Sequence, residues 1–494
     1  MEGFILSVND AFFSEYPPEH AKWLEWLTGF SGSAGTVVVL QDTAAFFTDG
    51  RYTLQAAEEV HADDYAIFNV RDKSPIAWIA EHAHGQTMGI DPWLVSAQQM
   101  SGWRKQSEGV AWKALDANPV DTLWQDAPEP STAAAYEYPL KLAGKEREEK
   151  IADIVARMQA KQADAVLLTL PESVCWLLNI RGRDIAHTPV LLCRAIVNAK
   201  GQVALFVPSE KVPAALRHVL GKQVEICAPE LILKACESLA GKKVWVTPSQ
   251  TNLILHQSLL DADAEIVSGE DPCMLPKACK NPVEQQTIRE VHRKDGRALT
   301  QFLQWVKTQE GLTELSAAAK LDALRREVDG FIEPSFPTIS GFGSNGAIVH
   351  YRATEKSNKA FVPGNLYLVD SGGQYWGGTT DVTRTVAIGT PTREMQECYT
   401  RVLKGHIALA RAVFPRGTTG SQLDALARQY LWEAGLDYDH GTGHGVGCCL
   451  GVHEGPQRIS KAANDVALQP GMILSNEPGY YKTGAFGIRI ENLV

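Results

Sequence analysis

The chain has 494 residues, 45% hydrophobic and 21% charged, with a formal net charge of −11 and a pI near 5.7. This length and composition predict a globular protein of two or three domains with a core of useful size. The negative charge excludes nucleic acid and anionic membrane as partners, because both present phosphate.

No apolar run approaches the roughly 18 residues of a membrane span. The start, MEGFILSVNDAFFSE, has an acidic residue where a signal peptide needs a basic one. Nine cysteines, scattered from Cys175 to Cys449 without a CxxC pair, read as reduced cytosolic thiols, so the expected location is cytoplasmic. Cys448 and Cys449 read as packing residues, not soft ligands.

In chain order, residues 1–130 form a first α/β segment. Gly35–Leu40 and Ala44–Thr48 read as strands and Arg51–Val60 as a helix, with GFSGSAG (29–35) as a turn, since it leads into a strand. The Pro- and Ala-rich 126–139 reads as a linker. A second α/β segment, 140–272, opens with a helix over Leu142–Lys161. Strands follow at Ala165–Leu170, Val190–Val197 and Val203–Val207, alternating with helices around Val212–Leu220 and Leu231–Leu239. Prolines 272, 276 and 282 mark a second boundary. From 278 to 494 the pattern changes to helices over Val283–Gln309 and Thr313–Asp329, then a hairpin. Helices over Glu394–Phe414 and Ser421–Ala434 repeat it, with Ser421 as N-cap and Gly435 as stop, and lead to further strands. GFGSNG (341–346) matches GxGxxG, but the strand-like IVHY after it excludes a dinucleotide loop, which must open a helix.

The hairpin carries the chemistry. Leu366–Val369 reads as a strand, Gly372 and Gly373 as its turn, and Thr380–Val386 as the return. Asp370 and Asp381, 11 residues apart, then share a face. Alone they fit either a solvated surface pair or a buried pair, and a buried pair needs a shared proton or a cation. His444 in HGTGHGVG, Glu477 in SNEPGYY and Glu491 in GIRIEN stand among glycines or strand residues, away from any polar helix face. One histidine with four carboxylates is a hard donor set that suits Mn²⁺, Co²⁺ or Zn²⁺ in a two-metal site.

Asp370, Asp381, His444, Glu477 and Glu491 resemble, in order, spacing and context, the ligands of the pita-bread metallopeptidases, the family of aminopeptidase P, prolidase, methionine aminopeptidase and creatinase. GFSGSAGT, FFTDGRY, WLLNIRGRDI and FPTISGFGSNGAIVHY extend the resemblance over nearly the whole chain, most closely to the three-domain cytosolic-type Xaa-Pro aminopeptidases. The resemblance implies an α/β fold with two creatinase-like N-terminal domains and a catalytic domain of pseudo-two-fold symmetry. It also implies a pair of divalent ions, foremost Mn²⁺, a bridging hydroxide as nucleophile, peptides with proline in second position as substrates, and a homodimer. Prolidase, or a non-enzymatic binding protein on the same fold, is the alternative.

By the same resemblance His350 and His453 contact substrate and intermediate, where a lone histidine is otherwise a structural residue. Glu477 doubles as proton acceptor, and Arg489 orients ligand carboxylates or forms an ordinary buried ion pair. His440 walls a proline pocket or stiffens its glycine-rich turn, with Tyr480 and Tyr481 as further wall candidates. The family extends further beyond its last ligand than Val494 does here. The catalytic segment therefore reads as shortened at its C-terminal end, and its last strand is expected to fray.

Overall fold

A computed structural model describes residues Met1–Val494. They divide into two compact units: Met1–Tyr138 with Lys145–Ala186 and Val190–Cys273, and Met274–Val494 with Pro139–Gly144 and His187–Pro189.

The first unit contains two six-stranded sheets. One is built from β1 (Gly3–Ser7), β2 (Gly35–Leu40), β3 (Ala44–Thr48), β4 (Ala66–Asn69), β5 (Thr87–Ile90) and β6 (Ala111–Ala114) in the order β4-β3-β2-β1-β5-β6. The other is built from β7 (Ala165–Leu168), β8 (Arg194–Asn198), β9 (Val203–Phe206), β10 (Val224–Cys227), β11 (Lys243–Val246) and β12 (Glu265–Ser268) in the order β10-β9-β8-β7-β11-β12. The two orders are the same, and so are the directions: an antiparallel meander of three strands, with parallel strands added at both edges. Continuous apolar strands such as Ala165–Leu168, buried throughout, are what sheets covered on both faces require.

Three expectations need correction here. The helix expected over Leu142–Lys161 is two, Leu140–Ala143 and Arg147–Ala160, because Gly144 adopts φ +69° and caps the first turn. The strand expected from Val190 begins only at Arg194. The strand expected over Ala165–Leu170 stops at Leu168, and Pro171 opens a helix instead.

The second unit is two helix-pair-on-hairpin halves. Helix α1 (Pro282–Thr308) starts where the Asn281 side chain accepts from the amides of Val283 and Glu284, with Pro282 at the first helical position. Its buried Ile288, Val291, Leu299, Phe302 and Val306 recur at helical spacing. Leu299, Phe302 and Val306, with Ala317 and Leu321 of α2 (Glu314–Arg326), cover Tyr367 and Val369. Strands β13 (Phe331–Pro334) and β14 (Ile339–Phe342) lead to β15 (Asn365–Ser371). The chain does not turn directly at Gly372–Gly373: it first makes a small hairpin, β16 (Gly373–Tyr375) and β17 (Gly378–Thr379), that pairs with β13, and then returns as β18 (Val382–Ile388). β15 lies between β14 and β18, with Asp370 opposite Thr383. The IVHY segment is not a strand: a 3-10 turn at Gly343–Ala347 precedes it.

In the other half, α3 (Arg393–Ala410) and α4 (Gly420–Trp432) pack Met395, Val402 and Leu431 on Ile488 and Ile490. Thr419, not Ser421, caps α4, in a capping box with Gln422. β19 (Gly443–Gly445) pairs with β20 (Glu454–Ile459), β21 (Ser475–Asn476) with β24 (Asn492–Leu493), and β22 (Gly479–Lys482) with β23 (Phe486–Arg489). Leu474 and Val494 exchange two backbone hydrogen bonds of 3.0 and 2.8 Å, which fasten the strand expected to fray.

Candidate metal centre

Each half of the second unit delivers carboxylates on paired strands. Asp370 ends β15, Asp381 precedes β18, Glu477 follows β21, and Glu491 lies between β23 and β24. His444 sits mid-strand in β19. The strands approach closely because their neighbours lack side chains: a Cβ on Gly443 would stand 1.9 Å from the Ser475 carbonyl oxygen, and one on Gly487 1.6 Å from that of Gly346. The glycines of the GxGxxG match therefore serve backbone packing.

Ligand atoms of Asp381, His444 and Glu491 lie within 4.8 Å of one another. His444 Nε2 is 3.4 Å from Asp381 Oδ2 and 3.5 Å from Glu477 Oε1. Its Nδ1 donates to the Gly445 carbonyl at 2.8 Å, which turns the Nε2 lone pair toward the carboxylates, the usual second-shell arrangement of a metal-bound histidine. Asp370 completes the cluster from the other side. Its Oδ2 accepts from Arg489 Nη2 at 2.7 Å and Nε at 3.2 Å, while Oδ1 is buried with no partner. Glu491 Oε2 accepts from Thr383 Oγ1 at 2.7 Å, and its Oε1 is likewise buried and unpartnered.

The electrostatics follow from three buried acids and a half-buried fourth, Glu477, facing few cations. Burial raises the Asp370 carboxyl above its ordinary range despite Arg489. Burial, then the charges of Asp381, Glu477 and Asp370, raise Glu491 well above it. Burial lifts Glu477 to about 7. Burial alone would lower His444, but Asp381 and Glu477 push it up to about 9. Unpartnered buried oxygens and carboxyls driven toward protonation are what a site built around cations looks like without their charge. The oxygen-rich, single-histidine donor set therefore fits two hard or borderline divalent ions.

The other candidates are distributed around this cluster. The His453 ring stands edge-on to that of His444, centroids 4.2 Å apart, and is exposed. His350 is half-exposed and follows Val349, whose carbonyl accepts from Arg489 Nη2 at 3.2 Å. Arg489, 1% exposed, also donates to Tyr481 Oη at 2.6 Å, and Tyr481 Oη is 2.7 Å from His440 Nε2. His440 Nδ1 donates to the Gly441 carbonyl at 2.7 Å, so the tyrosine donates to Nε2. Arg489, Tyr481 and His440 thus form one chain of hydrogen bonds beside Asp370.

Sequence reading missed Thr383, which orients Glu491, and Ser475, whose hydroxyl donates to Glu477 Oε1 at 3.1 Å. Thr383 did have a signal: two residues after Asp381 on a strand, it shares that residue's face.

Residues 286–494 match the family model of metallopeptidase family M24, and residues 10–123 and 126–284 each match a creatinase/prolidase N-terminal domain. The chain is 38% identical to aminopeptidase P2 of Arabidopsis thaliana, over all of this chain and 75% of that protein. The chain belongs to metallopeptidase family M24. It is an enzyme, a hydrolase of the metallopeptidase class, with two creatinase-like N-terminal domains ahead of a pita-bread catalytic domain. A probable Xaa-Pro aminopeptidase P of Sordaria macrospora is 40% identical over 99% of this chain and 84% of its own length. Among solved structures, an X-prolyl aminopeptidase of Caenorhabditis elegans, described as a cytosolic enzyme with a di-nuclear active site, superposes with TM-score 0.95 at 34% identity, covering 100% of this chain and 83% of that one. A Bacillus anthracis Xaa-Pro dipeptidase reaches TM-score 0.59 at 25% identity and covers 70% of this chain. The matches that span the whole chain are aminopeptidases P and an X-prolyl aminopeptidase, and this likeness favours the aminopeptidase reading over prolidase.

Proposed function

We propose that this M24 enzyme is an Xaa-Pro aminopeptidase, releasing one N-terminal residue when proline follows, with two divalent ions, foremost Mn²⁺, held by Asp370, Asp381, His444, Glu477 and Glu491. The observation that carries this reading is the convergence of those four carboxylates and one histidine from paired strands, two buried oxygens being left without partners. Bound there, the ions would supply an activated water and polarise the scissile carbonyl.

The protein's own groups divide the remaining work. Glu477 accepts the proton of the attacking water, and Ser475 holds its Oε1 in place. His453 and His350 present N–H donors to the oxyanion of the tetrahedral intermediate. Arg489 fixes Asp370 through two hydrogen bonds and keeps that carboxylate turned into the cluster. An Xaa-Pro bond has no amide N–H, so selection rests on ring shape, and the flat rings of His440 and Tyr481, 5.4 Å apart at 68°, suit that task.

The acidic chain, its nine free cysteines and the absence of any helix long and apolar enough to cross a membrane suit work on soluble peptides in the cytoplasm. The reading includes a homodimer, and Ile407, Phe414 and Trp432, on or beside α3 and α4, are exposed apolar side chains that pairing could cover.

The test is metal analysis of the purified protein together with hydrolysis of an Xaa-Pro-Yaa tripeptide and an Xaa-Pro dipeptide. Release of free Xaa from the tripeptide with two ions per chain supports the reading. Cleavage of the dipeptide alone identifies a prolidase, and an inert, metal-free protein identifies a binding module.

A further inference from the structure

Helix α4 carries a buried ion pair to which the reaction assigns no part. Asp424 and Arg428, one turn apart, are 3% and 0% exposed, and Arg428 Nε donates to Asp424 Oδ2 at 2.6 Å. Such a pair often adds little net stability, because desolvation of both charges offsets their attraction. What sets this one apart is where its remaining hydrogen bonds go.

Arg428 Nη1 donates to the Tyr438 carbonyl at 2.6 Å and to Asp437 Oδ1 at 2.8 Å, and Nη2 donates to the His440 carbonyl at 2.9 Å. Asp424 Oδ1 accepts from Thr442 Oγ1 at 2.5 Å, and the Tyr438 hydroxyl donates to that same Oγ1 at 2.6 Å. The two charges thus hold Asp437, Tyr438, His440 and Thr442, the stretch that bears His440 and leads to His444. The Thr442 carbonyl in turn accepts from the Glu477 amide at 2.8 Å, which ties the stretch to the proposed proton acceptor.

The side chains form a row as well. The guanidinium carbon lies 3.7 Å from the centroid of the Tyr438 ring, that ring 4.8 Å from His440, and His440 5.4 Å from Tyr481. Flat groups therefore run from α4 to the two rings that would wall the proline pocket. With no amide N–H to engage, selection by ring shape depends on where those walls stand, and a misplacement of about 1 Å can cost about a hundredfold in rate. A planar guanidinium can hold two carbonyls at its edge and a ring on its face together, which a lysine ammonium cannot.

We propose that Arg428, countered by Asp424, is a positioning residue for specificity: it fixes the place of the His440 ring and so the ring size that the pocket accepts. This inference rests on the reading of His440 as a wall of that pocket.

The experiment compares kcat/KM of the full-length, metal-loaded protein on Xaa-Pro-Yaa and on Xaa-pipecolyl-Yaa, whose ring is one methylene larger. Arg428→Lys keeps the charge against Asp424 and loses the fork, and Tyr438→Leu removes the ring between guanidinium and imidazole. Each should lower the preference for proline by about tenfold or more, with metal content unchanged. Leu423→Ala, on the same helix but in a different apolar cluster from Tyr438, should keep the parent's preference. A preference retained by whichever of the first two variants folds, or lost equally in Leu423→Ala, overturns the inference. A parent that cleaves neither peptide, or both equally, refutes the proline-pocket reading and this inference with it.

Discussion

Asp381 and Glu491 come from different halves of the second unit, their ligand atoms lie within 4.8 Å of each other and of His444, and both would hold the proposed ions. Asp381→Asn and Glu491→Gln each remove one anionic oxygen with little change of shape, so both variants should lose hydrolysis and metal retention together. Stoichiometric metal with full activity in either would refute the site. His440 poses a subtler question, because Tyr481 and Gly441 engage both of its ring nitrogens. If the ring walls the proline pocket, His440→Ala should lower kcat/KM for Xaa-Pro peptides by more than tenfold, a loss above about 1.4 kcal/mol, with metal content unchanged. Equal losses on Xaa-Pro and Xaa-Ala peptides would instead mark a residue that only stiffens its turn. The ligand candidates were legible in the sequence because each sits in a short run of glycines or strand residues that has no other use for a charge. Thr383 and Tyr481 were harder to read: their roles come from partners distant in the chain, and only strand pairing brings those within reach.

Among elements, α1 and α2 are clipped together by Arg325, which donates from Nε and Nη2 to the two oxygens of Asp295 at 2.7 and 3.1 Å, both side chains nearly fully buried. Tyr375 Oη donates to the same Asp295 oxygen at 2.6 Å, and Arg325 Nη2 reaches the Ser371 carbonyl at 3.4 Å, so the clip extends to the strand end beside Asp370. Burial alone would raise the Asp295 pKa, but the Arg325 charge prevails and holds it below the usual carboxylate range. Asp295→Asn leaves the buried guanidinium without its countercharge and should cost about 3–5 kcal/mol in denaturant unfolding. The double variant Asp295→Asn/Arg325→Met should recover much of that loss. A single variant within about 0.5 kcal/mol of the parent would show the pair to be dispensable. Element types were readable from periodicity, but their ends were not. Gly144 divides a helix whose apolar spacing runs on past it, and Thr419 takes the cap from Ser421 because Gln422 is placed to answer it. The β16–β17 excursion is hidden in a stretch of glycines that reads equally well as a plain turn.

At the scale of the whole molecule, the metal ions and protons compete for one set of groups. Folding lifts Glu477 from its ordinary 4.5 to about 7 and His444 from 6.5 to about 9. Both shifts are upward, so protein stripped of its ions keeps the associated stability below pH 4.5 and 6.5 respectively, and loses it as pH climbs through 7 and then 9. Divalent ions reverse the trend, since they bind best where the protons have left. The fall in Tm caused by a chelator should therefore be larger near pH 8 than near pH 5.5, and equal falls at both would count against a carboxylate-dominated site. The repeated sheet order of the first unit was only partly legible, as a shared alternation of strands and helices, because strand order depends on long-range pairing. One feature of the second unit reaches into the life of the protein. Asp370 and the Arg489 that holds it are 119 residues apart, and Glu491 comes later still. A nascent chain can fold both creatinase-like domains and the first metal-binding hairpin while the far ligands are still inside the ribosome. Peptidase activity is thus withheld until the segment carrying Arg489 and Glu491 has emerged, and a fragment ending before Glu491 should be an inert passenger that spares its neighbours' N-termini.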